Sequence, residues 1–338
     1  MTISQRKYDH IQINLQKDVN SGKTTGLEKI HFVHQSLPEN NLEEIDTKMM
    51  FLGKELAIPL MISSMTGGTN ASEKINEVLA KTAAKFGIAM GLGSIRIALD
   101  NADQVSSFQV RKFAPDILLF SNLGAVQLNY GYSVEHCKRA IDLVQADGLI
   151  LHLNCLQEAL QPEGNTNFKG LIKKIEAVCH GLPQPVIVKE IGWGISAFVA
   201  RQLIDAGVAV IDIAGAGGTS WSEVEKFRAG DSILFETAAV FKDWGIPLVK
   251  SIQDIRKIDQ SIPIIASGGI RNGLEIAKCI ALGANLCGIA SSFLKAATNS
   301  LEDTFLLTET LKKQLEITMF AAGVKSFKEL RQLTLSEE

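Results

Sequence analysis

From residue 56 onward, short β-rich apolar runs alternate with amphipathic stretches, each pair separated by glycine or proline. This rhythm restricts the chain to folds built on a parallel sheet. Eight runs read as strands: Leu56 to Ser63, Ile88 to Gly91, Ile117 to Ser121, Gly148 to Leu153, Pro185 to Glu190, Ala209 to Ile213, Pro263 to Ser267 and Asn285 to Ile289. Between them, Ala71 to Phe86 repeats Ile75, Leu79 and Thr82 at helical spacing, and Ser196 to Ala206 opens on a good N-cap residue and stops at Gly207. Ile246 to Val249 could form a ninth strand. Helical spacing decides against it, because Pro247 suits a first helical position and Leu248, Ile252 and Ile255 then share one face. Eight parallel strands with intervening helices close most economically into a single (β/α)8 barrel, an α/β fold. A doubly wound sheet would place a G-x-G-x-x-G fingerprint after Leu56 to Ser63, and none stands there.

The expected organisation is therefore one domain over 1–338. Residues 1–55 form a polar arm with one short strand, Ile30 to Gln35, and no core of their own; 56–300 form the barrel; 301–338 form a terminal helix and tail. The helix, Leu301 to Phe320, sets Phe305, Leu306, Leu311, Leu315 and Met319 on roughly one side. With 46% hydrophobic and 21% charged residues the chain is not disordered. Its 34 basic and 37 acidic residues nearly cancel, which removes any general pull toward nucleic acid or anionic lipid, so an anion site has to be local. The N-terminal residues Met1 to His10 are polar, and no apolar run reaches the length of a membrane span, which points to the cytoplasm. Five cysteines, Cys137, Cys155, Cys179, Cys279 and Cys287, form no C-x-x-C pair, so a reducing compartment and small buried thiols are expected.

Barrel ligands bind where the strands exit into their following loops. Small and polar residues dominate those exits: Ser64-Met65-Thr66-Gly67-Gly68-Thr69, Gly93-Ser94-Ile95-Arg96, Asn122-Leu123-Gly124, His152-x-Asn154-x-x-Gln157-Glu158, Lys189-Glu190, Gly217-Gly218-Thr219, Ser267-Gly268-Gly269-Ile270-Arg271 and Ala290-Ser291. Glycines ahead of a helix let backbone N–H groups close around phosphate, and the last two exits are the usual barrel phosphate site. Lys189 ends an apolar strand and needs a partner. That partner is a carboxylate such as Glu190 or another on the rim, or else the electron-rich edge of a cofactor, and both readings stay open. Glu158 is the kind of lone carboxylate that holds magnesium beside a diphosphate. Arg6, Lys7 and His10 crowd the arm.

Taken in order, Arg6-Lys7-x-Asp9-His10, Met65-Thr66-Gly67-Gly68, Gly93-Ser94-x-Arg96, His152-x-Asn154-x-x-Gln157-Glu158, Val188-Lys189-Glu190, Gly217-Gly218-Thr219 and Ala266-Ser267-Gly268-Gly269 resemble the type II, flavin-dependent isopentenyl-diphosphate isomerases over nearly the whole chain. Ile95 departs from the glutamine common there between the serine and the arginine. The resemblance implies interconversion of isopentenyl and dimethylallyl diphosphate with FMN and magnesium, NADPH serving as reductant and reduced flavin as proton donor and acceptor. It implies that Ser64, Met65, Thr66, Ser94, Asn122, Lys189, Thr219, Gly268, Gly269, Arg271, Ala290 and Ser291 hold FMN. Arg6, Lys7, His10, Ser94, Arg96 and Gln157 would hold substrate, Glu158 magnesium, and Gln157, His152 and Lys189 would form the catalytic set. It also implies a homo-oligomer, tetramer or octamer, with no nucleic-acid or membrane partner. The competing reading is an FMN barrel oxidoreductase such as a 2-hydroxy-acid oxidase. That chemistry needs a base beside the substrate hydroxyl, usually histidine, and the exit Asp212 to Thr219 contains none. A nucleotide dehydrogenase would need a cysteine nucleophile in that loop, and a silent scaffold barrel would bind no flavin.

Overall fold

Runs of β-branched and aliphatic residues too short for helices and bracketed by turn formers become the strands. In the computed structural model, which describes residues 3–65, 67–68 and 70–337, these are β1 (Leu60–Ile62), β2 (Ala89–Gly91), β3 (Leu119–Gly124), β4 (Gly148–His152), β5 (Val186–Lys189), β6 (Val210–Asp212), β7 (Ile264–Ser267) and β8 (Leu286–Ile289). All pair in parallel, and β8 returns to β1 through Cys287↔Leu60, Gly288↔Met61 and Ile289↔Ile62, closing an eight-stranded barrel without edges. The expected (β/α)8 fold is the one observed.

Alternation along the strands decides what fills the barrel. Met61, Ala89, Phe120, Ile150, Ile187, Val210, Ile265 and Leu286 meet in one buried apolar cluster. Two residues further along each strand, on the same face, come Ser63, Gly91, Asn122, His152, Lys189, Asp212, Ser267 and Gly288. The interior therefore changes from wholly apolar to polar or glycine in a single step toward the strand C-termini. That second layer is the floor of the site.

Several expectations need correction. Leu56 does not begin the first strand; it belongs to a hairpin, Met49–Phe51 with Lys54–Leu56, which packs Phe51 and Leu56 beneath the apolar layer. Pro59 has no N–H to donate, so no ladder could run unbroken from Leu56 into β1. The arm is not merely polar coil, since Ile3–Gln16 is a 14-residue helix, α1. Its strand is only Ile30–His31, because the partner strand Ser336–Glu337 offers only Ile30↔Glu337 and His31↔Ser336. In the terminal helix Leu301–Ala321 the buried face runs through Thr304, Thr308, Leu311, Leu315 and Met319, while Leu306 is 67% exposed. Hydroxyls are acceptable there because Thr304 and Thr82 satisfy each other at 2.6 Å. Finally, Pro247 caps the helix Leu248–Ile258 rather than standing inside it, whereas Ser196 is the N-cap its sequence promised, accepting from the Val199 N–H. Of the cysteines, Cys137, Cys279 and Cys287 are buried but Cys155 is exposed.

Three further helices frame the site: α2 (Cys155–Leu160), α3 (Trp221–Arg228) and α4 (Ser232–Ala239). The chain leaving α1 is stitched to the exit of β6, with Ser21 donating to Gly218 O at 2.8 Å and Ser220 donating to Val19 O at 2.7 Å.

Candidate active site

A cavity of about 500 Å3 opens above the polar floor, at the C-terminal ends of the strands. Its wall brings together Ser64, Met65, Ser94, Asn122, Lys189, Thr219, Gly268, Gly269, Arg271, Ala290 and Ser291 with Arg6, Lys7, His10, Arg96, His152, Gln157 and Glu158. These are the residues singled out from the sequence, apart from Thr66, which lies outside the described residues.

On the floor, Lys189 pairs with Asp212, Nζ to Oδ2 at 3.2 Å, and donates to Ser267 Oγ at 3.3 Å. Glu190 is not its partner. That carboxylate turns to the backbone, where Oε2 accepts from the N–H groups of Ile191, Gly192 and Trp193 at 2.7, 2.7 and 2.6 Å. Burial still pushes the Glu190 carboxyl up to about 7, against the downward pull of those N–H groups and Lys189. His152 Nδ1 lies 2.8 Å from Asn122 Oδ1, and an amide oxygen can only accept, so Nδ1 carries the proton and Nε2 keeps its lone pair. Burial first, then the charges of Lys189, Lys7 and Arg6, lower the imidazole to about 4. His152 is therefore a neutral polar group near pH 7.

The side of the cavity lined by α1 is cationic. Lys7 Nζ donates to Ser94 O at 2.7 Å, and burial followed by repulsion from Arg6 lowers its pKa from 10.5 to about 7. Arg6 donates to Gln161 Oε1 at 3.1 Å. Glu158 Oε1 accepts from Asn154 at 2.8 Å and Oε2 from the Asn165 N–H at 2.5 Å, so the carboxylate is fixed in place. Close by in this network, Asn154 Oδ1 and Gln127 Oε1 are buried oxygens without a hydrogen-bond partner.

The sequence missed Glu225 on α3. Its Oε1 accepts from Gln157 Nε2 at 2.9 Å and from Gln161 Nε2 at 2.7 Å, and lies 3.0 Å from His10 Nε2, while its other oxygen pairs with Arg228. Burial alone would raise the carboxyl, but His10, Arg228 and Gln157 together hold it down at about 2. His10 also packs edge-on to Trp221 at 5.2 Å, so α1, α2 and α3 meet on one anion. Glu225 lies beyond the loop that follows β6, on a helix whose Glu223, Glu225, Lys226 and Arg228 look like a solvated face. Asp212 and Ser63 also have no role assigned from the sequence, although strand alternation places each on the floor beside Ser267.

The family model of FMN-dependent dehydrogenases matches residues 3–111 and 157–337. An isopentenyl-diphosphate delta-isomerase of Rickettsia rickettsii (strain Sheila Smith) is 51% identical over 326 residues, covering 96% of this chain and 95% of its own. The chain belongs to the isopentenyl-diphosphate delta-isomerase family. The corresponding protein of Rickettsia prowazekii (strain Madrid E) is 50% identical over 328 residues, with the same coverage of 96% and 95%. A solved structure of mandelate oxidase with benzoyl-formic acid has a TM-score of 0.67 at 17% identity, covering 98% of this chain and 94% of that one, which establishes the shared barrel alone.

As an FMN-dependent isomerase the chain needs a cradle for that cofactor, and the cavity supplies one. Gly268 and Gly269 take φ of 98° and 87°, and a Cβ on Gly269 would stand 2.5 Å from Gly217 O. Their bare backbone packs against the exit of β6 and lines the cavity. Ser63 Oγ and Ser64 Oγ are buried hydroxyls without a partner on the same wall. Such groups normally find one, and a flavin with its phosphate offers many acceptors and donors.

Proposed function

We propose that this chain interconverts isopentenyl and dimethylallyl diphosphate by proton transfer, with reduced FMN as acid and base, magnesium on the diphosphate and NADPH as the source of the reduced state. The observation that carries the reading is that one cavity joins a glycine cradle over a Lys189 floor to a cationic end made by Arg6, Lys7 and Arg96 around Glu158. When bound, reduced FMN supplies an electron-rich ring able to exchange protons. Ser64, Met65, Thr66, Ser94, Asn122, Lys189, Thr219, Gly268, Gly269, Arg271, Ala290 and Ser291 would hold it.

The remaining work falls to the chain. Isomerisation adds a proton at the terminal alkene carbon and removes one from the allylic carbon, and an electron-deficient tertiary centre develops between them. Water would capture that centre, so α1, whose Arg6, Lys7, His10 and Ile11 line the cavity, has to help exclude it. Arg6, Lys7, His10, Ser94, Arg96 and Gln157 clamp the diphosphate end and orient the short hydrocarbon toward the floor. Gln157 is suited to an orienting role because its amide accepts from Asn154 at 3.1 Å and donates to Glu225 at 2.9 Å, which fixes both ends. Neutral His152 adds a polar wall without another positive charge beside a forming cation. Glu158, with the unpartnered amide oxygens of Asn154 and Gln127 nearby, would offer oxygen donors of the kind magnesium prefers.

The reading further treats the protein as one cytoplasmic domain assembled as a homo-oligomer, tetramer or octamer. What supports assembly is α4 and its neighbourhood, where Ile233, Val240 and Trp244 are 77%, 76% and 59% exposed and Phe235 is 40% exposed. An apolar helix with so little buried surface is normally covered. The deciding experiment is anaerobic incubation of the protein with FMN, magnesium, a reductant and isopentenyl diphosphate. Dimethylallyl diphosphate is the expected product, and its absence under reduced conditions refutes the assignment.

A further inference from the structure

We infer that Asp212 is a positioning residue that sets how much positive charge the cavity floor presents to a bound flavin. The inference rests on the reading that Lys189 faces the FMN ring. Among the floor residues Lys189 and Asp212 are the one base and the one acid that face each other as an ion pair, His152 is neutral, and the rest are hydroxyls, an amide and glycines. The two are directly paired in strand register, Lys189↔Asp212, and both point inward.

Asp212 is completely buried, so its carboxylate cannot turn to water. Ser267 bridges the pair: its Oγ accepts from Lys189 Nζ at 3.3 Å and donates to Asp212 Oδ1 at 2.5 Å. Three consecutive strands, β5, β6 and β7, thus contribute one member each to a closed unit of lysine, aspartate and serine. Binding FMN calls for no carboxylate at this place, and an uncompensated one would oppose the negative charge of a reduced ring. Its presence has two consequences. Lys189 is held at a fixed position rather than free to follow the ligand, and the floor as a whole is neutral rather than cationic. A ring whose negative charge is only partly offset stays more basic, which suits a group that must give and take protons. A floor carrying the full lysine charge would hold reduced FMN more tightly and leave it a poorer base.

The test is the midpoint potential of FMN bound to the full-length protein, which reports the ratio of affinities for reduced and oxidised flavin. It is measured for the unmodified protein, Lys189→Met, Asp212→Asn and the double variant. Lys189→Met should lower the ratio about tenfold, roughly 30 mV for a two-electron couple. Asp212→Asn should raise it by a similar factor, and the double variant should return to within about twofold of the unmodified protein, roughly 9 mV. A double variant as depressed as Lys189→Met overturns the inference even if Asp212→Asn alone fails to fold, because a purely structural Asp212 cannot restore a potential. An unchanged potential in Lys189→Met overturns instead the reading that this lysine faces the ring.

Discussion

Lys7 lines the cavity from α1, in surroundings unlike those of an ordinary surface lysine. With its pKa lowered to about 7 by burial and by Arg6, it is cationic in mildly acidic solution and neutral in mildly alkaline solution. A diphosphate prefers the cation, so above pH 7 binding has to take up a proton. The substrate KM should therefore rise by up to about tenfold per pH unit between pH 7 and 9. Lys7→Met should bind weakly at pH 6.5 and lose that slope, and a slope that survives in the variant assigns it to another group. Glu158 makes a separate prediction at the same scale. Glu158→Gln keeps the shape but removes the charge that a divalent cation needs, so the magnesium concentration for half-maximal activity should rise roughly tenfold or more while the flavin spectrum is unaltered. An unchanged magnesium titration removes Glu158 as the ligand.

Two elements carry the site, the arm and the glycine exit of β7. If α1 closes the diphosphate end, deleting residues 1–10 should raise the substrate concentration for half-maximal rate and leave the flavin absorbance as it was. Kinetics that do not change would return Arg6 and Lys7 to an ordinary solvated surface. Gly269→Ala tests the other end, because its Cβ would stand 2.5 Å from Gly217 O at a φ of 87°. FMN affinity should fall by about tenfold or more, the equivalent of roughly 1.4 kcal/mol, and an FMN titration decides it. Elements were legible in the sequence where local signals and packing agree. All eight strands could be read because each is a short apolar run between turn formers. The hairpin around Leu56 was hidden because an apolar residue before a proline looks like the start of the next strand. Thr304 was hidden because its burial depends on a partner hydroxyl, Thr82, 222 residues away in the chain, and Thr308 because its hydroxyl is satisfied by the Thr304 carbonyl of its own helix. The helix α1 carries Arg6, Lys7 and His10 on a mostly polar sequence, so no periodic apolar stripe announced it.

Across the whole molecule, strand alternation converts eight local sequences into one apolar layer and one polar floor, and motif order located many of the residues that line the cavity. The pairings were not legible. Lys189 stands beside Glu190 in the chain, yet its charge partner is Asp212 on the next strand, and Gln157 is anchored by Glu225 from a helix 68 residues onward. Both depend on the barrel closing. The central claim concerns what passes through the assembled site, protons or electrons, and counting turnovers measures it most directly. Bound FMN is reduced once with dithionite in the absence of oxygen, isopentenyl diphosphate is supplied in large excess in heavy water, and dimethylallyl diphosphate is counted per flavin. Proton transfer predicts many turnovers per reduced flavin, deuterium in the product and no stoichiometric consumption of NADPH, whereas product capped at one equivalent per flavin, or formed only in step with NADPH oxidation, would contradict it.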